Sequence, residues 1–257
     1  MGTTPLILIT KTPIHSQFAK LVVMEPKLLI ILFMSLMIPG SFSATFTFRN
    51  NCPYTVWPGI LTNPNLPQFP TSGFELASRA SRSENSAGNW GGRFWARTGC
   101  NGQFTCATGT CRPSLACNGA GGAPPVTLAE FTLNGDGGKD FYDISNVDGF
   151  NIPVSITPDR GCQSTSCPAN VNSVCPPQLS VRGSNGNTIA CKSACLAFNQ
   201  PQYCCTGAFN NPNTCKPTDY SRIFKNACPQ AYSYAYDDRS STFTCANGAN
   251  YAITFCP

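Results

Sequence analysis

The stretch Val126–Pro158, VTLAEFTLNGDGGKDFYDISNVDGFNIPVSITP, carries Glu130, Asp136, Asp140, Asp143 and Asp148 out of 12 acidic residues in the chain. Leu128–Leu133 alternates in polarity, with Ala129, Phe131 and Leu133 facing one way and Leu128, Glu130 and Thr132 the other. Phe141–Ser145 alternates too, with Tyr142 and Ile144 opposite Phe141, Asp143 and Ser145. Period-two runs around a Gly-rich break predict two antiparallel strands joined by a loop. If Leu133 pairs with Asp140, the loop is 134–139 and Glu130 lies directly across from Asp143. Opposed residues in such a ladder sit roughly 4.5–5.5 Å apart at Cβ. Two like charges at that distance make one carboxyl hold its proton to higher pH, and a nearby arginine opposes the shift. That is acid–base chemistry, or a polar grip on a ligand. The bland alternative is two solvated carboxylates on an open sheet face. A one-residue slip would separate the pair altogether.

Other routes to chemistry are closed. The sole histidine, His15, lies in an N-terminal leader, so Ser-His-Asp and Cys-His catalysis and His-containing zinc sites are excluded from the remainder. All 16 cysteines lie beyond the leader, and an even count in an exported chain implies eight disulfides. Fully paired cysteines leave no thiolate for nucleophilic work or metal binding. No cofactor and no metal is expected.

The leader itself has two parts. Met24–Ser43 has a basic Lys27, an apolar core Leu28–Ile38 and small residues Ser41 and Ser43 before Ala44, the layout of a secretory signal peptide. Its core is shorter than the roughly 20 apolar residues a membrane span needs. Met1–Val23 precedes a methionine that itself makes a good start and reads as an over-extended or unstructured leader. Beyond residue 43 the charge is mildly positive, without the basic runs that would point to nucleic acid. Gly, Pro, Asn, Ser and Thr abound, and no long stretch has helical periodicity. Many short strands and loops follow from that pattern.

Along the chain, strands are expected near Ala44–Tyr54, Thr55–Trp57, Phe74–Ala80, Gly91–Arg97, Ser240–Cys245 and Tyr251–Cys256, and Trp90, Phe94 and Trp95 as core or sheet-face aromatics. A bridge between Cys52 and Cys256 would tie the two ends together and close the longest loop, an effect on the order of 4–5 kcal/mol. Cys100, Cys106, Cys111 and Cys117 read as two small disulfide loops, since CxxC pairs are missing. Residues 162–228 are Cys-, Asn- and Pro-rich and read as a disulfide-held region with few regular strands. Short helices are expected at Ser193–Phe198 and Ser221–Asn226. Adjacent Cys204 and Cys205 would be strained if bonded together, so each should take another partner.

ATFTFRNNCPYTVWPGI, GRFWARTGC, GQFTCATGTC, TLAEFTL, KDFYDISNVDGFNIPVSITP, CPQAYSYAYDDRSSTFTC and NYAITFCP closely resemble the thaumatin-like proteins, the pathogenesis-related group 5 of plants. The likeness spans essentially everything after the leader. It implies an all-β fold: a flattened antiparallel β-sandwich core domain (44–99 with 118–161 and 229–257), a small disulfide-loop domain (100–117) and a disulfide-rich domain (162–228). It also implies the bridges Cys52–Cys256, Cys100–Cys106, Cys111–Cys117, Cys162–Cys245, Cys167–Cys228, Cys175–Cys191, Cys195–Cys204 and Cys205–Cys215. In that family an Arg, a Glu and three Asp form an acidic interdomain cleft. By the motifs here these fall on Arg93 (Arg97 being the other arginine of the motif), Glu130, Asp143, Asp148 and Asp237 (with Asp238 adjacent). One departure is Gly109-Thr110-Cys111, where the family usually has Asp before the cysteine; Arg112-Pro113 follow it. Lost negative charge there would alter the small domain's surface and leave the fold intact.

The resemblance implies a secreted plant defence protein of the apoplast, antifungal, acting as a monomer and holding fungal cell-wall β-1,3-glucan in the cleft. Rings such as Phe141, on the Asp143 face, can pack against sugar C–H faces. Two further readings compete: a weak endo-β-1,3-glucanase, with Glu130 as general acid and Asp143 as base or nucleophile, and a protein that permeabilises a pathogen membrane surface or inhibits a hydrolase.

Overall fold

A computed structural model describes residues 43–246 and 248–257; the leader readings at 1–42 lie outside the described residues. Two five-stranded sheets face each other. The first runs β3 (Ser81–Asn85), β1 (Thr45–Asn50), β12 (Tyr251–Phe255), β7 (Val154–Pro158) and β8 (Thr165–Cys167). The second runs β11 (Phe243–Ala246), β6 (Lys139–Ser145), β5 (Leu128–Thr132), β4 (Gly91–Thr98) and β2 (Val56–Thr62). All neighbours are antiparallel except β1 and β12, which run parallel. A separate hairpin, β9 (Ser180–Arg182) with β10 (Thr188–Cys191), lies in the Cys-rich region.

The core is aromatic, because a period of two turns every second residue inward. Phe46 and Phe48 of β1, Phe94 of β4, Phe131 of β5, Tyr142 of β6 and Tyr251 of β12 are all buried. The Phe46 ring centre lies 5.0 Å from Phe131, 5.1 Å from Phe94 and 5.5 Å from Trp90, each edge-on. Edge-to-face contacts of this kind add to area burial. Trp95, Val126, Leu128 and Cys117 form a smaller cluster on the outer face of the second sheet.

The eight disulfides join the pairs that the resemblance implies, so Cys204 and Cys205 turn to Cys195 and Cys215. Cys52–Cys256 closes the longest loop, a separation of 204 residues.

Several local expectations change. Phe74–Ala80 forms no strand; it meets β2 at an isolated bridge, Val56 with Leu76, and the preceding Gly73 meets Gly59 at another. Pro58 stands between those bridges and has no N–H to continue the ladder. The alternation that suggested a strand instead plugs Phe74 and Leu76 into the core. Strand β3, SRSEN, was invisible to an apolar pattern because it is an exposed edge. Strand β8 carries the first sheet past residue 161, the expected end of that segment. Ser240 and Ser241 belong to a helical turn, Asp238–Ser241, and the strand starts only at Phe243.

Helix α1 (Ala194–Phe198) starts at Ser193, whose hydroxyl accepts from Leu196 N. A turn of helix, α2 (Pro201–Cys204), follows, and α3 (Asp219–Ala227) is longer than expected at both ends. Its cap is reciprocal between Thr218 and Ser221. Serine at the third helical position replaces the usual Glu or Gln of a capping box and hides that start in the sequence.

Thr110 earns its place by structure. Its hydroxyl accepts from Cys106 N at 2.9 Å and donates to Cys106 O at 3.2 Å. An ionised aspartate can do only the first. The substitution therefore completes the Cys100–Cys106 loop as well as removing charge.

Phe46→Ala, with every disulfide intact, is expected to cost about 3–5 kcal/mol in chemical denaturation. A loss below about 1 kcal/mol would mean the ring cluster is not a packed core.

Candidate functional site

The site begins with register. Across β4, β5 and β6, Arg93 pairs with Glu130 and Glu130 pairs with Asp143. Three charged residues therefore form one row on the outer face of the second sheet. The alternation that turns Phe94, Ala129, Phe131, Tyr142 and Ile144 inward leaves them no other side. The pairing has the register that puts Leu133 across from Asp140.

Arg93 Nε lies 3.8 Å from Glu130 Oε1, an ion pair too long for a hydrogen bond. Arg93 Nε and Asp143 Oδ1 are both buried, and neither has a hydrogen-bond partner. The row thus holds one unmatched donor and one unmatched acceptor.

Burial, joined by the charges of Glu130 and Asp238 and opposed by Arg93, pushes Asp143 well above the usual carboxylate range, to about 8. Glu130 is also raised by burial; Arg93 pulls it back down, Asp148 raises it and a hydrogen bond from Ser145 lowers it. Both carboxyls are therefore raised, and Arg93 opposes the shift in each.

Asp148 reaches the row from the turn after β6. That turn places Gly149 at φ +88°, and a side chain there would strike Cys191 O at 2.5 Å and Pro125 Cβ at 2.7 Å. Only glycine lets the chain pass.

Arg97, the other arginine of the motif, is fully buried. It donates to the carbonyls of Trp57, Pro58, Ser114 and Leu115, and so pins the small disulfide loops to the sheet. Arg93 is the arginine that faces the acids.

Asp237 and Asp238 part company. Asp237 pairs with Lys225 Nζ at 2.9 Å and accepts from Ser233 N and Oγ at 3.0 and 2.8 Å. It is committed to holding the 233–241 segment against α3. Asp238 is the one whose charge acts on Asp143, and it accepts from Tyr232 OH at 2.8 Å. Of the two, Asp238 is the one that acts on Asp143, while Asp237 is engaged by Lys225 and Ser233. Tyr232 went unnoticed in the sequence; it lies in an irregular segment, and only its backbone pairing with Ser145 brings it beside the row.

Asp140, outside the family pattern, is a structural residue: it accepts from Asn134 N at 2.9 Å and Tyr251 OH at 2.7 Å, closing the hairpin loop. Phe141 shares the face of Asp143, half-buried beside Gly135 and Thr132. Among the described residues no three His, Cys, Asp or Glu side chains gather as a metal site would require.

The thaumatin family model matches residues 50–257 of the chain. This protein belongs to the thaumatin family. It is 60% identical over 226 residues to thaumatin-like protein 1 of Pyrus pyrifolia, covering 85% of this chain and 93% of that one. It is 56% identical over 245 residues to a Prunus avium protein named glucan endo-1,3-beta-glucosidase, covering 91% and 100%. Pathogenesis-related protein 5 of Arabidopsis thaliana is 59% identical over 219 residues, covering 82% and 90%. Among solved structures, a laminaripentaose-producing β-1,3-glucanase in complex with laminaritetraose shares the fold, with a TM-score of 0.59, 12% identity, and 84% of this chain and 99% of that one covered.

The raised Asp143 gives a pH signature. The native state keeps a proton that the unfolded chain loses near 3.8, so this group's stabilisation is complete at acid pH and is lost as pH rises towards about 8. Asp143→Asn removes that titration. Thermal melts should show the variant gaining on the wild type between about pH 4 and about pH 8. A constant gap would mean Asp143 is not held protonated.

Proposed function

We propose that this protein is a secreted plant defence protein of the apoplast that binds fungal cell-wall β-1,3-glucan in the cleft built on Arg93, Glu130, Asp143, Asp148 and Asp238. One observation carries the reading: two directly opposed carboxyls beside an arginine, with Arg93 Nε and Asp143 Oδ1 both unmatched. A hydroxyl both donates and accepts, so a neutral polyol can complete such a set without bringing charge into it. Burial that raises Glu130 and Asp143 lowers the negative charge a neutral ligand must meet. Export agrees with eight disulfides, which persist in oxidising compartments. The defence role agrees with relatives named pathogenesis-related protein 5 and thaumatin-like protein 1.

Slow hydrolysis is the second reading, favoured by the raised carboxyl pair and by the relative named glucan endo-1,3-beta-glucosidase. Asp143 would protonate the glycosidic oxygen as its bond to the anomeric carbon breaks. Glu130 would attack that carbon, and water would later release the sugar. A carboxyl separation of about 5–5.5 Å would make this the two-step, retaining route.

Co-sedimentation with insoluble β-1,3-glucan tests the binding. Glu130→Gln and Asp143→Asn should each weaken it about tenfold. Unchanged binding in both variants would remove the cleft from the function. Reducing-sugar release from the same glucan decides on hydrolysis: equal release by wild type and Glu130→Gln excludes it.

A further inference from the structure

A groove of about 670 Å³ lies where the ends of β2, β4 and β7 meet the Cys-rich region, and nothing above uses it. Its walls include Tyr54, Trp57, Pro153, Asn170, Asn172 and Ile189, and no Asp, Glu, Lys or Arg. Trp57 pairs with Arg97, four residues along β4 from the Arg93 that pairs with Glu130. By strand rise that is about 13 Å from the acidic row.

We propose that this groove is a second binding site, for a short neutral oligosaccharide. The absence of charge in its lining excludes an ionic ligand as the fitting partner, since nothing there would repay the desolvation. The volume suits a small molecule and not a protein surface. Two aromatic side chains present apolar faces with polar tips, which suits a ligand whose rings are apolar on their faces and polar at their edges. The Trp57 indole is held in place by its N–H donating to Glu75 Oε2 at 3.2 Å. Tyr54 is 44% exposed, and its hydroxyl makes no hydrogen bond among the described residues. The Asn172 amide is oriented by its Nδ2, which donates to Asn151 O at 3.0 Å, and its buried Oδ1 is left without a partner. An unmatched acceptor in a wall calls for a donor, and Thr55 adds a hydroxyl that can donate or accept, whereas Thr98 and Thr188 are already paired with Thr108 and Ser180 at 2.7 Å. A purely apolar ligand would leave the Asn172 acceptor unpaired.

Tryptophan fluorescence reads this site selectively. Of three tryptophans, Trp90 and Trp95 are fully buried, so acrylamide quenching reports Trp57. The probes are laminaritetraose, cellotetraose and chitotetraose. At least one should protect Trp57 from quenching in a saturable manner, and Trp57→Phe should abolish the quenchable signal. Tyr54→Ala and Ile189→Arg, both at solvent-reachable positions, should each weaken protection about tenfold. Glu130→Gln with Asp143→Asn should leave it unchanged, which separates this site from the cleft. Protection by none of the three sugars would overturn the proposal. So would protection indifferent to both groove variants, or protection lost with the cleft pair.

Discussion

Glu130 and Asp143 face each other across β5 and β6, and the fold holds them there against their mutual repulsion. Like charges directly opposed weaken a sheet. Here the cost is met on the other side of the same strands, where Phe131 and Tyr142 pack into the aromatic core. Period two couples the two faces: turning the rings inward turns the acids outward. Moving the pair apart by a register slip would expose the rings, so core packing enforces the strained electrostatics of the site.

The remaining charges are placed by structure outside that hairpin. Arg93 enters from β4, Asp148 from the turn that Gly149 permits, and Asp238 from a segment tied by Asp237 and Lys225 to α3. A single lysine–aspartate pair thus connects the disulfide-held region to the acidic row. Disulfides add to this connection, since Cys162–Cys245 and Cys167–Cys228 join the sheets to the Cys-rich segment. Groups held by several elements keep their positions without a ligand, and that is what a preorganised site requires.

Two arginines on one strand illustrate how context divides similar residues. Arg93 and Arg97 lie on the same face of β4, yet Arg97 is closed over by the small disulfide loops and satisfied by backbone carbonyls. Burial lowers its guanidinium to about 10. Arg93, beyond the cover of those loops, keeps an unmatched Nε and faces the acids.

Strands with one buried face were readable from the sequence alone. Leu128–Leu133 and Phe141–Ser145 alternate because each strand has one side in the core, and the Glu130–Asp143 pairing follows from that pattern and a Gly-rich loop. Sixteen cysteines and the lack of any histidine beyond residue 15 determined equally well which chemistry was closed. Tertiary structure decided the rest. Strand β3 carries no apolar signal because it is an exposed edge, and Phe74–Ala80 alternates without extending into a strand because Pro58 interrupts its neighbour. The different surroundings of Asp237 and Asp238, and the raised carboxyls of Glu130 and Asp143, depend on Lys225, Tyr232 and Arg93, which are distant in the chain. A local pattern records which side of a strand is buried; it does not record which charges from elsewhere will stand beside it.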